Sequence, residues 1–511
     1  MKIRTAAVLI ISAATVANLA GQVPALDYYE IQQVSARFCH ALDSAEANGN
    51  AFADLFTSDG VFVTGNGKRL EGHDQLAAFA REDPDKRKGP TNVGHYVTNL
   101  TVEATADGAR AHGYLLEATM IAPAAGGRGP GRAITDAGVY WDELVRTPEG
   151  WRIKMRTLVR PGGRAPQPTA AGAATSAAAV SMPHPFTAQD YADIDQLFAL
   201  FGYGFDSAAE DGHQWANLFT PDGVFVAGSV VSTMKGRDTL AAFGSGRLNF
   251  PGGFAVLTMG PGTVKNPLAI QHILTDVALE PVSEGAVATV YRLNATIGND
   301  GRASLAPGGT YNILLARTAE GWRFKENWYM NAGTVPPEGA QRFMPKASMT
   351  ASAPASRGSV PPLTVPAEDD AAIRQLYARF SLAIDSGGEN GMALARLFTP
   401  DGIFQDTWSS KVYAGTDQLA AVGRGTSPNS KGLTNMNHYI WTVKIEASPS
   451  GATGKAYAMT GMLQEPGKPI TMTNGGQLWD DLVKTADGWR FKKRTFYRTS
   501  QTPPPTQSAS R

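Results

Sequence analysis

The sequence predicts an α+β fold used three times in tandem, each unit opening with helices and continuing as an antiparallel sheet. Three observations predict it. Residues 54–61 read DLFTSDGV, 217–224 read NLFTPDGV and 396–403 read RLFTPDGI. Each is followed about ninety to a hundred residues later by a second shared signature, PEGWRIK at 148–154, AEGWRFK at 319–325 and ADGWRFK at 486–492. Between the repeats, 161–185 and 334–366 are rich in Ala, Pro, Gly and Ser and lack apolar periodicity, so they bury too little surface to offset their ordering entropy and read as linkers. The 511 residues therefore divide into domains at 25–160, 186–333 and 367–500, with a Pro/Ser/Gln tail at 501–511. With their own helical faces and strands, the units are expected to be separable bodies, cut first at the linkers.

The elements follow in the same order in each unit. Tyr28, Ile31, Val34, Phe38 and Leu42 recur at helical steps, as do Ile194, Leu197, Phe198, Phe201 and Phe205, and Ile373, Leu376, Phe380 and Ile384. A Gly-containing break ends each helix. A short second helix carries the LFT motif, the Asp-Gly after it begins a strand, and a third helix is predicted near 73–82, 237–243 and 416–422. The remainder reads as strands, with Asp107-Gly108 as one turn and Pro148-Glu149-Gly150 joining the last pair as a hairpin. Helices first and a sheet afterwards make an α+β layer.

The ends and the composition set bounds. Lys2 and Arg4, the apolar run Ala6 to Ala17 and the small residues up to Ala20 have the layout of a cleavable secretory signal over 1–20, which predicts an exported protein, periplasmic or extracellular. A formal net charge of zero leaves no basic stripe, so nucleic acid is not an expected partner, and no other segment reads as a membrane span. The single cysteine, Cys39, has no intrachain partner and reads as a buried thiol. No Gly-rich phosphate motif opens a helix after a strand, and no unit offers three metal ligands, so neither a cofactor nor a metal is expected.

A helix ending in LDS, the FAxLFTxDGVF segment, a G-x-D/H-x-L helix, a GHY or NHY strand and a terminal DGWR-I/F-K strand together resemble the SnoaL-like domains of the nuclear-transport-factor-2-like superfamily. The resemblance covers nearly all of the chain outside signal, linkers and tail. It implies a cone in which a strongly curved sheet wraps around helices and encloses an apolar pocket. It fixes the fold better than the reaction, because the superfamily includes polyketide cyclases, scytalone dehydratase, ketosteroid isomerases, epoxide hydrolases and non-catalytic members.

One polar pair recurs in all three units. Asp43, Asp206 and Asp385 stand near the end of the first helix, and His95, His272 and His438 near the start of a later strand, 52, 66 and 53 residues on. A carboxylate near a helix C-terminus opposes the dipole, so its threefold use asks for a reason. An Asp bonded to one imidazole nitrogen orients the ring and leaves the other as a general acid or base. The resemblance implies the same, since these positions match the Asp and one catalytic His of scytalone dehydratase. That family's second His falls near Tyr114, with His112 out of phase, and its tyrosine before the Asp is replaced by Leu42, Phe205 and Ile384.

His40, one turn before Asp43, and Tyr96, Tyr114 and Tyr439 are the candidate substrate-binding residues. For the strand of His95 and His438 to turn from pocket to solvent, a bulge or the open rim of the cone is required. Trp151, Trp322 and Trp489 read as strand core, Arg156 and Arg494 as sheet-surface or mouth residues, and the Gly/Pro-rich insertion from Asn249 to Pro267 as a lid before His272. Two functions fit. One is a cofactor-independent lyase or isomerase acting on a small apolar carbonyl or aromatic compound. The other is a non-catalytic binding or assembly protein whose domains pack with one another or into homo-oligomers.

Overall fold

The computed structural model describes residues 23–81, 93–121, 131–160, 186–227, 232–246, 270–297, 303–331, 365–407, 409–425, 436–462 and 471–498. The signal, the tail, nearly all of both linkers and the insertion at 249–267 expected to form a lid lie outside the described residues. The first domain runs α1 (Ala25–Ser44), α2 (Asn50–Ala53), β1 (Phe56–Val63), β2 (Arg69–Glu71), α3 (His73–Arg81), β3 (Val93–Thr105), β4 (Gly108–Ile121), β5 (Gly131–Thr147) and β6 (Gly150–Val159). The second repeats this as α4 (Ala188–Ser207), α5 (His213–Ala216), β7 (Phe219–Ala227), β8 (Ser232–Lys235), α6 (Arg237–Gly244), β9 (Ile270–Val282), β10 (Gly285–Ile297), β11 (Ala303–Thr318) and β12 (Gly321–Asn331). In the third, α7 (Ala367–Ser386) and α8 (Met392–Ala395) precede β13 (Phe398–Asp406), β14 (Lys411–Ala414), α9 (Gly415–Gly423), β15 (Met436–Ser448), β16 (Gly451–Met462), β17 (Thr471–Thr485) and β18 (Gly488–Arg498).

Each domain holds one six-stranded sheet in the order β2-β1-β6-β5-β4-β3 and its equivalents. It departs from the all-antiparallel expectation at one place. The LFT motif, expected on the short second helix, lies after it and leads into β1, β7 and β13; these strands pair parallel to the GWR strands, Phe62 beside Arg156, Phe225 beside Asn327 and Phe404 beside Arg494. The two repeated signatures are therefore sheet neighbours. The glycine of the break cannot be replaced cheaply: Gly49, Gly212 and Gly391 sit at φ 84, 85 and 84°, and a Cβ there would meet the carbonyl oxygens of Ala77, Ala241 and Ala420. Trp151, Trp322 and Trp489 are core, and each indole N–H donates to a carboxylate in the first turn of the long helix, Asp27, Asp190 or Asp369. That carboxylate also complements the helix N-terminus.

The three units do not stand apart from one another, because the long helices are packed on two sides. Gln33 of α1 bonds the backbone of Val277 and Leu279 in the second domain, Gln196 of α4 bonds Ile445 in the third, and Gln375 of α7 bonds Val102 in the first. Each helix thus serves its own sheet and the edge strand of the next domain in a closed ring. The edge strands β3, β9 and β15 carry the expected bulge, at Asn99, Asp276 and Thr442, with φ 55, 52 and 53°. Asn99 bonds Ile440 N and His438 O across one junction, and Asp276 accepts from Val97 N across another. Residues of all three domains enclose a cavity of about 140 Å³ at the meeting point. One apolar cluster runs from the first domain's interior through Ile273 and Tyr291 to Tyr439 and Tyr457.

Candidate functional site

The end of the long helix and the start of the edge strand come together in every domain. In the first, His95 Nδ1 lies 2.5 Å from Asp43 Oδ1 and the His95 backbone N–H donates to Asp43 Oδ2 at 3.0 Å. His438 and Asp385 repeat this at 2.5 and 2.9 Å, and His272 bonds Asp206 through Nδ1 and, at 2.9 Å, through its backbone. The carboxylate grips ring and main chain of one residue, so Nδ1 carries the hydrogen and Nε2 is turned away from the aspartate. A buried carboxylate at the unfavourable end of a helix is held by these donors.

A third donor comes from the neighbouring domain. Tyr291 of the second domain donates to Asp43 Oδ2 (2.8 Å), Tyr457 of the third to Asp206 Oδ2 (2.5 Å) and Tyr114 of the first to Asp385 Oδ2 (2.8 Å). Burial and the adjacent aspartate hold all three phenols well above their usual pKa, so they remain donors. Tyr114 therefore lies in a junction, and Tyr439 and Tyr96 pack there too, 5.9 Å from the Tyr114 ring and 5.5 Å from the Tyr291 ring respectively. His40 faces the same region, its Nε2 2.7 Å from the Asp276 carbonyl oxygen and its ring against Tyr291. Burial lowers its pKa. None of these four lines the first domain's pocket. Cys39 is buried beside Asp276, its thiol pushed well up by burial.

The first-domain cone contains a cavity of about 240 Å³ whose apolar wall includes Leu42, Phe62, Phe79, Leu115, Tyr140 and Leu158. Its polar lining includes Asp43, His95, Glu117, Thr64, Asn66, Lys68 and, at the rim, the Asp136–Arg160 ion pair. Glu117 Oε2 stands 3.5 Å from His95 Nε2, so the imidazole lies between two carboxylates. Burial alone would lower the His95 pKa, but the charge and hydrogen bond of Asp43, with those of Glu117, prevail and raise it to about 10. The β3–β4 register places Asn294 opposite His272 and Thr460 opposite His438, where Glu117 faces His95. In the second domain burial and the nearby Arg292 push His272 down against the pull of Asp206.

Arg156 and Arg494, expected at the surface or mouth, are core residues with 1% and 0% exposure. Each makes a two-bonded pair with Asp142 or Asp480 and lies over Phe38 or Phe380. The signal was present in the chain: both members are lost together in the second domain, to Ile313 and Asn327. Glu117, Tyr291 and Tyr457 were missed, and Tyr114 was singled out for substrate rather than for its bond to Asp385. Glu117 is the one acid in the apolar run YLLEATMI, and Tyr114, Tyr291 and Tyr457 recur three residues before Glu117, Asn294 and Thr460.

The model of the SnoaL-like domain matches residues 24–157, 187–327 and 365–495, three copies that each contain one such Asp–His clamp. The chain belongs to the SnoaL-like domain family. Single SnoaL-like units resemble solved structures of one-domain length. One is a protein of unknown function from Mycobacterium tuberculosis, 28% identical, covering 26% of this chain and 72% of that one with a TM-score of 0.22. Another is an NTF2-like protein with a cystatin-like fold from Novosphingobium aromaticivorans, 23% identical over 27% and 85% of the two chains, TM-score 0.23. A third, of unknown function and also with a cystatin-like fold, is from Nostoc punctiforme, 21% identical over 27% and 94%, TM-score 0.22. No curated protein matches the SnoaL-like chain.

Proposed function

We propose that the first domain is a cofactor-independent acid–base catalyst, a lyase or isomerase, acting on a small, largely apolar carbonyl or aromatic compound. The observation that carries this is the placement of His95 between Asp43 and Glu117 inside an apolar cavity. Held protonated at neutral pH, His95 is a proton donor, with Nε2–H directed at a carbonyl oxygen of the ligand. Glu117 is the base. It takes a proton from the carbon next to the carbonyl as His95 gives one to the oxygen, producing a neutral enol. Reprotonation at another carbon isomerises the compound. Alternatively a β-hydroxyl leaves as water with the proton held by Glu117, and the enol returns its proton to His95. Family membership supports small-molecule binding, and the amino-terminal signal-like segment supports export, which amino-terminal sequencing of the mature protein tests.

Deuterium wash-in from D₂O at the α-carbon of small cyclic ketones and enones reads the proposed step without knowledge of the natural substrate. Glu117→Gln and His95→Asn are each expected to lower it by about 10²–10⁴. No exchange with any ketone in the wild type, or full exchange in both variants, rejects the catalytic reading. A second reading has its own support: the tyrosine that enters each Asp–His clamp from the next domain makes the clamp part of the assembly, as a non-catalytic binding or assembly protein requires.

A further inference from the structure

We propose that the second domain holds a separate binding site for a small aromatic carboxylate, with the Arg292 guanidinium as its anion receptor. Arg292 follows the junction tyrosine on β10, at the position of Leu115 in the first domain and Ala458 in the third, and its exposure is 6%. Leu115 lines the first-domain cavity, so this position looks into the cone. The partners of Arg292 are neutral. Nε donates to Asn294 Oδ1 at 2.6 Å and Nη1 to Tyr311 Oη at 3.0 Å, and the guanidinium lies 4.5 Å from the centre of the Tyr329 ring. Among the described residues no carboxylate pairs with it. Asp206, whose charge reaches it, is already engaged by His272 and Tyr457.

The sister domains show what a buried arginine has in this fold when it is structural. Arg156 and Arg494 each hold a carboxylate through two hydrogen bonds. The second domain has exchanged that acid for Ile313 and that arginine for Asn327, and has placed a new cation on β10, two strands from the old arginine position. A cation taken out of water without an anion is unstable unless one is supplied, and a planar carboxylate matches a guanidinium best. Asn327 is a second, independent sign. It is 1% exposed, among the described residues both its amide oxygen and nitrogen lack partners, and the register puts it on the same sheet face as Ile313, Tyr311 and Tyr329. His272, kept neutral by burial and Arg292, adds no competing charge. The ring of Phe205 stands edge-on to His272 at 4.9 Å, and Tyr329 covers the guanidinium, which selects an aromatic body for the ligand.

Calorimetric titration of the full chain with benzoate and phenylacetate, and with neutral benzamide as control, tests this. Both anions should bind the wild type and benzamide should bind at least tenfold more weakly. Arg292→Leu, which installs the first domain's residue, should weaken both anions at least tenfold. Should Arg292→Leu fail to fold, Asn294→Asp decides: it sets a carboxylate on Nε without changing shape, and should remove anion binding equally. Glu117→Gln should leave it unchanged, which separates this site from the first-domain centre and from the fate of its proposed chemistry. Undiminished anion binding in Asn294→Asp, loss of it in Glu117→Gln, or equal affinity for benzamide overturns the proposal, as does a wild type that binds neither anion.

Discussion

At the scale of single residues, two equivalent clamp positions give the same amino acid different charge states. His95, flanked by Asp43 and Glu117, has a folded pKa of about 10 against an ordinary value of 6.5. Its protonated ring therefore contributes stability that is complete below pH 6.5 and is lost as pH rises through about 10. His272, desolvated and beside Arg292, is shifted down, so its neutral ring contributes stability that is complete above the ordinary value and is lost as pH falls below it. Melting temperatures measured from pH 5 to pH 10 should show His95→Asn flattening the alkaline limb and His272→Asn flattening the acid limb. Identical pH dependence in the wild type and both variants would contradict these environments. The Asp–His pairs were legible in the sequence because a rare titratable residue recurred at a matched place and a helix-end aspartate needed a partner. Glu117 was not, because it occurs in one unit alone and repetition gave no warning. Arg156 was misplaced because it was considered by itself, although its loss together with Asp142 in the second domain already marked the two as one pair.

At the scale of elements, the helical periodicity identified each long helix and its inward face, but it did not reveal that the opposite face is also covered. Fourteen of the 20 residues of α1 are buried, Glu30, Gln33 and Ser35 among them, which an amphipathic surface helix does not do. The sequence carries the trace as a glutamine two residues after Ile31, Ile194 and Ile373, a polar residue with no evident task inside its own unit. Its task is to hold the bulged edge strand of the next domain by bonding that strand's backbone. Gln196→Leu removes both of its hydrogen bonds to the Ile445 backbone and should destabilise the protein by about 1–3 kcal/mol in chemical denaturation. Tyr291→Phe removes a single donor to Asp43 and should cost about 1.5–3 kcal/mol, the range for a bond to a charged group. A loss below a few tenths in both would mean that the junctions do not depend on these bonds. The bulge itself was foreseeable from the conflict between strand alternation and the placement of His438. Its left-handed residue at Asn99, Asp276 and Thr442 was not, since only asparagine and aspartate among the three favour that conformation.

At the scale of the whole molecule, the chain is a ring of three unequal copies in which every Asp–His clamp is completed by the next domain. A ring of identical subunits must repeat one site three times, because one gene sets all three. Joining the copies in one chain removes that constraint, and the consequence is visible in the three clamps: Glu117 faces His95, Asn294 faces His272 and Thr460 faces His438. The linkers also replace association between subunits by an intramolecular step at an effective concentration of roughly millimolar order, so weak junctions suffice. Two outcomes follow for dissected protein. Cutting at 161–185 and 334–366 in the folded chain should leave three fragments that elute together, because the tyrosine, glutamine and edge-strand contacts do not run through the linkers. The first domain expressed alone, residues 23–160, should lack the ordered state of the full chain. It would expose Tyr96 and Tyr114, which are 3% and 0% exposed in the full chain, and would leave Asp43 without Tyr291. Amide exchange in β3 and at the end of α1 is therefore expected to be faster in the isolated domain by at least tenfold, with His95 titrating closer to its ordinary value as water reaches the clamp. Fragments that separate on nicking, or an isolated first domain with unchanged exchange and an unchanged His95 titration, would show instead that each cone is self-sufficient and that the ring is only a packing arrangement.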